Sequence, residues 1–152
     1  MRALSRFLLP GALALAGRSL AAQQLDPALH GTWTLDVAKS VFGGGETPTA
    51  GRISWTEHGW VFALVFPNGY LYADAAVIDH GCTLLGVPSD YSCTVTVITP
   101  THLRFTLTQE GALRRIGDIE LLDSNTTRTV HRVTPARRPP YAETTLWHRE
   151  PE

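Results

Sequence analysis

A chain of 152 residues with 13 basic and 14 acidic side chains, two cysteines and six histidines has room for one well-cored domain and carries no positive excess. That balance argues against nucleic-acid binding, because phosphate recognition needs a clustered positive field and the arginines here are dispersed apart from two pairs. No nucleophile motif, metal-ligand spacing or phosphate loop stands out, so no cofactor and no metal centre are expected.

The first element is a secretory leader. Arg2 and Arg6 give a basic start, Phe7 to Ala16 an apolar stretch, and Ser19-Leu20-Ala21 puts small residues at the -3 and -1 positions of a signal-peptidase site. A membrane anchor is the weaker alternative, since the apolar run is about half of the ~20 residues a spanning helix needs, and Pro10 and Gly11 interrupt it. The expectation is a signal peptide over 1–21, a single domain over 22–152 with no membrane span, and a secreted or periplasmic location. Taking Arg2, Arg6 and Arg18 from the 13 basic residues leaves ten against 14 acidic ones in that mature form, a formal charge of -4.

From Gly31 onward apolar and polar residues alternate, and turn signals recur about every ten to fourteen residues. Strands are predicted over 31–35, 51–57, 60–66, 70–78, 82–85, 91–99, 102–108, 112–122, 126–133 and 142–149. The turns between them, such as Pro67-Asn68-Gly69 and Glu110-Gly111, carry residues that accept positive φ or lack a ladder donor. Residues 60–66 are apolar on both faces, which predicts a strand that is covered on both sides or lines a cavity. The fold class is therefore all-β: an up-and-down antiparallel barrel of about eight to ten strands, closed because closure removes exposed edges.

Cys82 and Cys93 fall on consecutive predicted strands behind a leader. In an oxidising compartment they are expected to form a disulfide that stabilises by about 2–3 kcal/mol on the chain-entropy model. A redox or metal pair is the alternative, and the C-x-x-C spacing it would favour is missing.

The opening Gly31-Thr32-Trp33-Thr34-Leu35, followed by Ala38-Lys39-Ser40 and Phe42, resembles the start of a family of exported bacterial lipocalin-like (calycin-type) small barrels. Asp79 and Gly81 in a turn after the fourth strand, with Trp147 and Arg149 in the last strand, fit the same pattern. The resemblance implies the barrel and leaves activity open, since most members have none assigned. It also implies that Trp33 packs beneath Arg149 at the closed end, a structural plug held by cation-π and packing energy.

If the first strand starts at the closed end, alternate turns sort themselves. Turns 57–59, 79–81, 100–102 and 123–125 share the closed rim, while loops 36–50, 67–69, 86–90, 109–111 and 134–140 surround the mouth. His58, His80 and His102 recur every 22 residues on the closed rim, which invites a metal site. Two strands, roughly 10 Å, separate neighbours there, so solvated turn residues are the expectation. His131 and His148 lie on strands with no spacing partner. At the mouth, Tyr70, Tyr91 and Tyr141 with Arg137-Arg138 and the Gly43-Gly44-Gly45 loop are candidate ligand contacts. The alternative is that these tyrosines cap the core and the arginines are solvated.

Inside, Trp55, Phe62, Leu64, Tyr72 and Phe105 are candidate lining residues. On the fourth strand Tyr72, Asp74, Ala76 and Ile78 share a face, and the lipocalin-like resemblance implies that this face points inward, so Asp74 is expected as a carboxylate in an apolar lumen. It would be paired with an arginine such as Arg104, Arg115 or Arg132, or protonated. A one-residue bulge would turn it outward instead. These residues support three readings: a carrier of a small apolar or amphipathic molecule, an isomerase, cyclase or lyase using Asp74 and Tyr72 as proton-transfer groups, or an envelope interaction module with a filled core. A cavity below roughly 300 Å³ would favour the last.

Overall fold

The computed structural model describes residues 25–78 and 82–151, so the leader and the Asp79-His80-Gly81 turn lie outside the described residues. A short 3-10 turn at Pro27–Leu29, capped by Asp26, precedes ten antiparallel strands. In chain order the first five are β1 Gly31–Val41, β2 Ala50–Thr56, β3 Gly59–Val65, β4 Leu71–Val77 and β5 Thr83–Leu85. The second five are β6 Tyr91–Thr99, β7 His102–Gln109, β8 Ala112–Asp123, β9 Thr126–Val133 and β10 Tyr141–Arg149.

The sheet runs β5-β4-β3-β2-β1-β10-β9-β8-β7-β6, so the first and last strands pair in its middle. Its two edges, β5 and β6, are neighbours in sequence. They meet through one isolated bridge between Cys82 and Cys93, which are joined by a disulfide with Cα atoms 5.3 Å apart. The result is a nearly closed up-and-down barrel whose seam is held by a covalent bond.

Most strand bounds match the alternation pattern. The exception is β1, expected to end at Leu35 and found to run to Val41. Between Asp36 and Val41 its register against β10 shifts, and Asp36 anchors the bulged residues. Its carboxylate accepts from Lys39 N at 3.1 Å, its carbonyl accepts from Ser40 Oγ at 2.6 Å, and that same hydroxyl accepts from Leu146 N at 3.0 Å. The irregular segment is tied to β10 by a side chain where ladder bonds are lost.

Leu25, Leu29 and Trp33 are essentially fully buried at the start of the barrel. Trp33 Nε1 donates to Leu29 O at 3.0 Å, and the Arg149 guanidinium lies 4.2 Å over the indole ring. The same guanidinium donates to the carbonyls of Ala28, His30 and Ser124, so the closed end is plugged and hydrogen-bonded together. Above the plug, Trp55 stacks at 5.0 Å on Trp60, which meets Phe105 edge-on at 5.4 Å.

The two outer walls differ. On β3, β4 and β5 the outward residues Val61, Val65, Leu71, Val77 and Leu85 are exposed and alternate with alanines, without one charge. On β7, β8 and β9 the outer face is ionic: Asp118 meets Arg104 at 2.8 Å, His102 at 3.3 Å and Arg132 at 3.9 Å, and Arg128 pairs with Glu120.

Candidate functional site

The β3–β4 ladder runs from Gly59↔Val77 to Val65↔Leu71 without a shift in register. Period two along β4 therefore holds, and Tyr72, Asp74 and Ala76 all point inward. No bulge turns Asp74 to solvent. Its partner across the ladder is Phe62, and the Phe62 ring lies 6.1 Å from that of Tyr72 and 5.8 Å from that of Trp147.

Among the described residues, two chambers in the lumen above the plug share part of their lining. The inner one, about 60 Å³, is lined by Asp74 and by rings that include Trp55, Trp60 and Phe105. The outer one, about 210 Å³, opens at the mouth past Tyr72, Leu64, Glu143 and the lip formed by Phe42, Gly44 and Tyr141. Phe62, Arg115, His131 and Trp147 line both and so form the neck between them. The inner chamber has room for a few waters, and the two chambers, about 60 and 210 Å³, stay below roughly 300 Å³ even together, the outcome that favours an interaction module with a filled core; a lumen guest has to be small to fit.

Tyr72, Asp74, His131, Glu143 and Arg115 gather around this neck, with Thr127 and Thr129 on the inner chamber and Glu46 and Thr145 on the outer one. The Tyr72 hydroxyl donates to Asp74 Oδ2 at 2.7 Å. Burial, and then the hydrogen bond and charge of Asp74, hold the Tyr72 phenol far above its ordinary value, so it stays a proton donor. Burial also pushes the Asp74 carboxyl upward, with the Tyr72 hydrogen bond and the charges of Arg115 and His131 pulling it part of the way back. On the opposite wall His131 and Glu143 are ladder partners, with Nδ1 and Oε1 3.2 Å apart. Burial keeps the imidazole below its ordinary value against the pull of Glu143. For Glu143, burial works to raise the carboxyl, but the His131 hydrogen bond outweighs it, helped by the charge of Arg115 and by that of His131 whenever the ring is protonated, and holds it low. A neutral His131 beside an ionised Glu143 donates its Nδ1 proton, which leaves Nε2 as an acceptor.

The fifth residue is Arg115. A bulge opposes Leu107 with Arg115 and Thr108 with Leu113, making Arg114 the extra residue of β8. Arg114 turns to Gln109, with Nε 3.2 Å from Oε1, and Arg115 enters the lumen. Its Nε is buried and has no hydrogen-bond partner among the described residues.

Of the three arginines proposed as counter-ions of Asp74, Arg104 and Arg132 sit outside on Asp118, and Arg115 is the one whose charge reaches it. Trp55, Phe62, Leu64, Tyr72, Asp74 and Phe105 all line a chamber, and Tyr141 joins the mouth. A Cβ on Gly44 would come within 2.3 Å of the Tyr141 ring, so the glycine loop is folded directly against it. Other rim candidates are not gathered there. Tyr70 is exposed and packs 5.9 Å from Phe66, Tyr91 pairs with Gln109 at the start of β6, and Arg137 and Arg138 are exposed, the latter beside a surface cleft with Pro139 and Tyr141. His58 faces Glu57 at 3.2 Å and His102 faces Asp118; His80 lies outside the described residues.

His131 and Glu143 were missed as a pair. A signal existed in Gly117, a glycine inside a strand, which often marks a close approach. It faces His131 across the ladder, and a Cβ there would come within 2.9 Å of Nε2 and 2.7 Å of Cδ2. The glycine makes room for the ring.

The chain matches no protein-family model and no curated protein sequence. Among solved structures it is similar to a redesigned β-barrel, with 13% identity over 85% of this chain and 96% of that one and a TM-score of 0.49. That likeness carries no argument about activity.

Proposed function

We propose that this chain is an exported barrel that binds a small apolar or amphipathic molecule in its lumen. The observation that carries this reading is the pair of chambers that meet at an aromatic neck and open past a glycine lip. The leader motif and the Cys82–Cys93 bridge support export, and the Trp33–Arg149 plug agrees with the lipocalin-like resemblance. Native mass spectrometry of protein purified from its source tests the reading: a bound small molecule released on denaturation is expected, and an empty barrel that takes up no small aromatic probe would refute it.

A second reading is favoured by Asp74, which sits desolvated in the inner chamber with Tyr72 on it. A carboxyl so placed is suited to moving a proton between two positions of a bound substrate, an isomerisation that needs no co-reactant. Asp74→Asn separates the two readings. Under catalysis it abolishes turnover of a candidate substrate and leaves binding within a few-fold; under carriage it weakens binding instead.

A further inference from the structure

Arg115 brings five N–H donors into a lumen lined mainly by rings, and it cannot shed its proton to escape the cost. The two carboxylates that feel its charge are engaged elsewhere, Asp74 by Tyr72 and Glu143 by His131. Thr145 Oγ1, on the mouth chamber, accepts from Trp147 Nε1 at 2.9 Å. The orphaned Nε therefore calls for an oxygen acceptor that this chain does not supply among its described residues.

The charge count at the neck decides what kind of oxygen. Among the described residues lining the chambers Arg115 is the one arginine or lysine, the Glu143 carboxyl is held low, Asp74 is a second acid, and burial disfavours the charged form of His131. The arginine's charge is thus already balanced, or more than balanced, within the lumen. A ligand carboxylate would add another negative charge to a confined, poorly solvated site beside Asp74 and Glu143, and a ligand ammonium would meet Arg115 at the neck. An uncharged acceptor satisfies the donors without disturbing the balance.

We infer that the lumen selects an uncharged, largely apolar molecule bearing a carbonyl-type oxygen, which accepts from the Arg115 guanidinium while its apolar body lies against Phe62 and Trp147. This rests on the lumen-binding reading and narrows it to a ligand class. The neck position matters, because Arg115 and His131 border both chambers, so the oxygen would lie between them with the apolar body extending to either side.

Four probes that share one ring and differ in head group test it: acetophenone, ethylbenzene, benzoate and 1-phenylethylamine. Each is titrated into the full-length exported protein while the indole N–H resonances of Trp55, Trp60 and Trp147 are followed by NMR. Acetophenone is expected to bind roughly tenfold or more tightly than the other three, the size of a hydrogen bond from a charged donor. Arg115→Met should bring it down to the ethylbenzene level and leave ethylbenzene unchanged. Tighter binding of benzoate would overturn the inference in favour of an anion site, and equal binding of acetophenone and ethylbenzene would remove Arg115 from recognition. In both cases lumen binding survives. If none of the probes moves an indole resonance, lumen binding fails and the ligand class falls with it. The ordering on the unaltered protein decides the matter even if Arg115→Met does not fold.

Discussion

The closed end and the neck of the lumen each set an arginine among aromatic rings, with opposite outcomes. Arg149 donates to three backbone carbonyls and covers Trp33, so its donors and its charge are absorbed by the fold. Arg115 sits mid-lumen with a buried Nε that no described residue meets. A buried guanidinium is costly unless its hydrogen bonds are made. The first region spends its polar capacity on holding strands together, whereas the second keeps donors unspent at the place where a guest would sit.

The comparison breaks most easily at Trp33. Replacing it with alanine removes a large ring that the structure buries completely, and about 3–5 kcal/mol of stability should go with it. Urea denaturation reads the loss, while acetophenone affinity in the protein that remains folded should hold within about twofold, because Trp33 lines neither chamber. A large loss of affinity at unchanged stability would make the plug part of the site.

Next in size is the seam. Cys82→Ser with Cys93→Ser should cost about 2–3 kcal/mol in the same assay, and reduction of the unaltered protein should match it. Two free thiols in exported protein, labelled under denaturing non-reducing conditions, would count against the bridge.

Smaller effects sharpen the neck through pH. His131 titrates lower in the folded than in the unfolded chain, so the unfolded chain takes up the proton first. The stability that a neutral His131 contributes is present above about pH 6.5 and is lost as pH falls below it. His131→Gln should flatten that part of the profile. Glu143, held low, adds a further loss below its ordinary 4.5. Asp74 has the opposite sign: its folded value is raised, so stability declines as pH rises from its ordinary 3.8. Asp74→Asn should therefore stabilise the protein at neutral pH by a margin that fades below about pH 4. This is the smallest of the changes, and a destabilised Asn variant at pH 7 would show that the ionised carboxylate is better satisfied than its burial implies.

Much of this was legible in the sequence because strands reveal themselves by period two. That Tyr72 and Asp74 share a face of β4 follows from alternation, whereas the inward direction of that face and the Trp33–Arg149 plug follow from the lipocalin-like resemblance. Glu143 did not follow, since its meaning comes from the β9–β10 register that sets it opposite His131. Local pattern does not specify register between strands; turn length and tertiary packing do. Arg115 was visible only as one of three possible partners for Asp74, and the bulge at Arg114 gives no pattern of its own. Tyr70 shows the converse failure: a strand-start tyrosine near the mouth has no local signal for which way its ring turns, and it turned to Phe66.

Every ladder in this sheet joins strands that follow one another along the chain, except β1 with β10. Eight of the nine ladders are therefore local hairpins, each needing only a short loop to close, while the β1–β10 ladder must gather the two ends of the described chain. The Trp33↔Arg149 register falls within that ladder. The plug is then also the clasp: the contact that seals the bottom of the barrel lies in the ladder that joins its two five-strand halves. A substitution at Trp33 should accordingly slow refolding, followed by stopped-flow fluorescence, as well as weaken the finished fold.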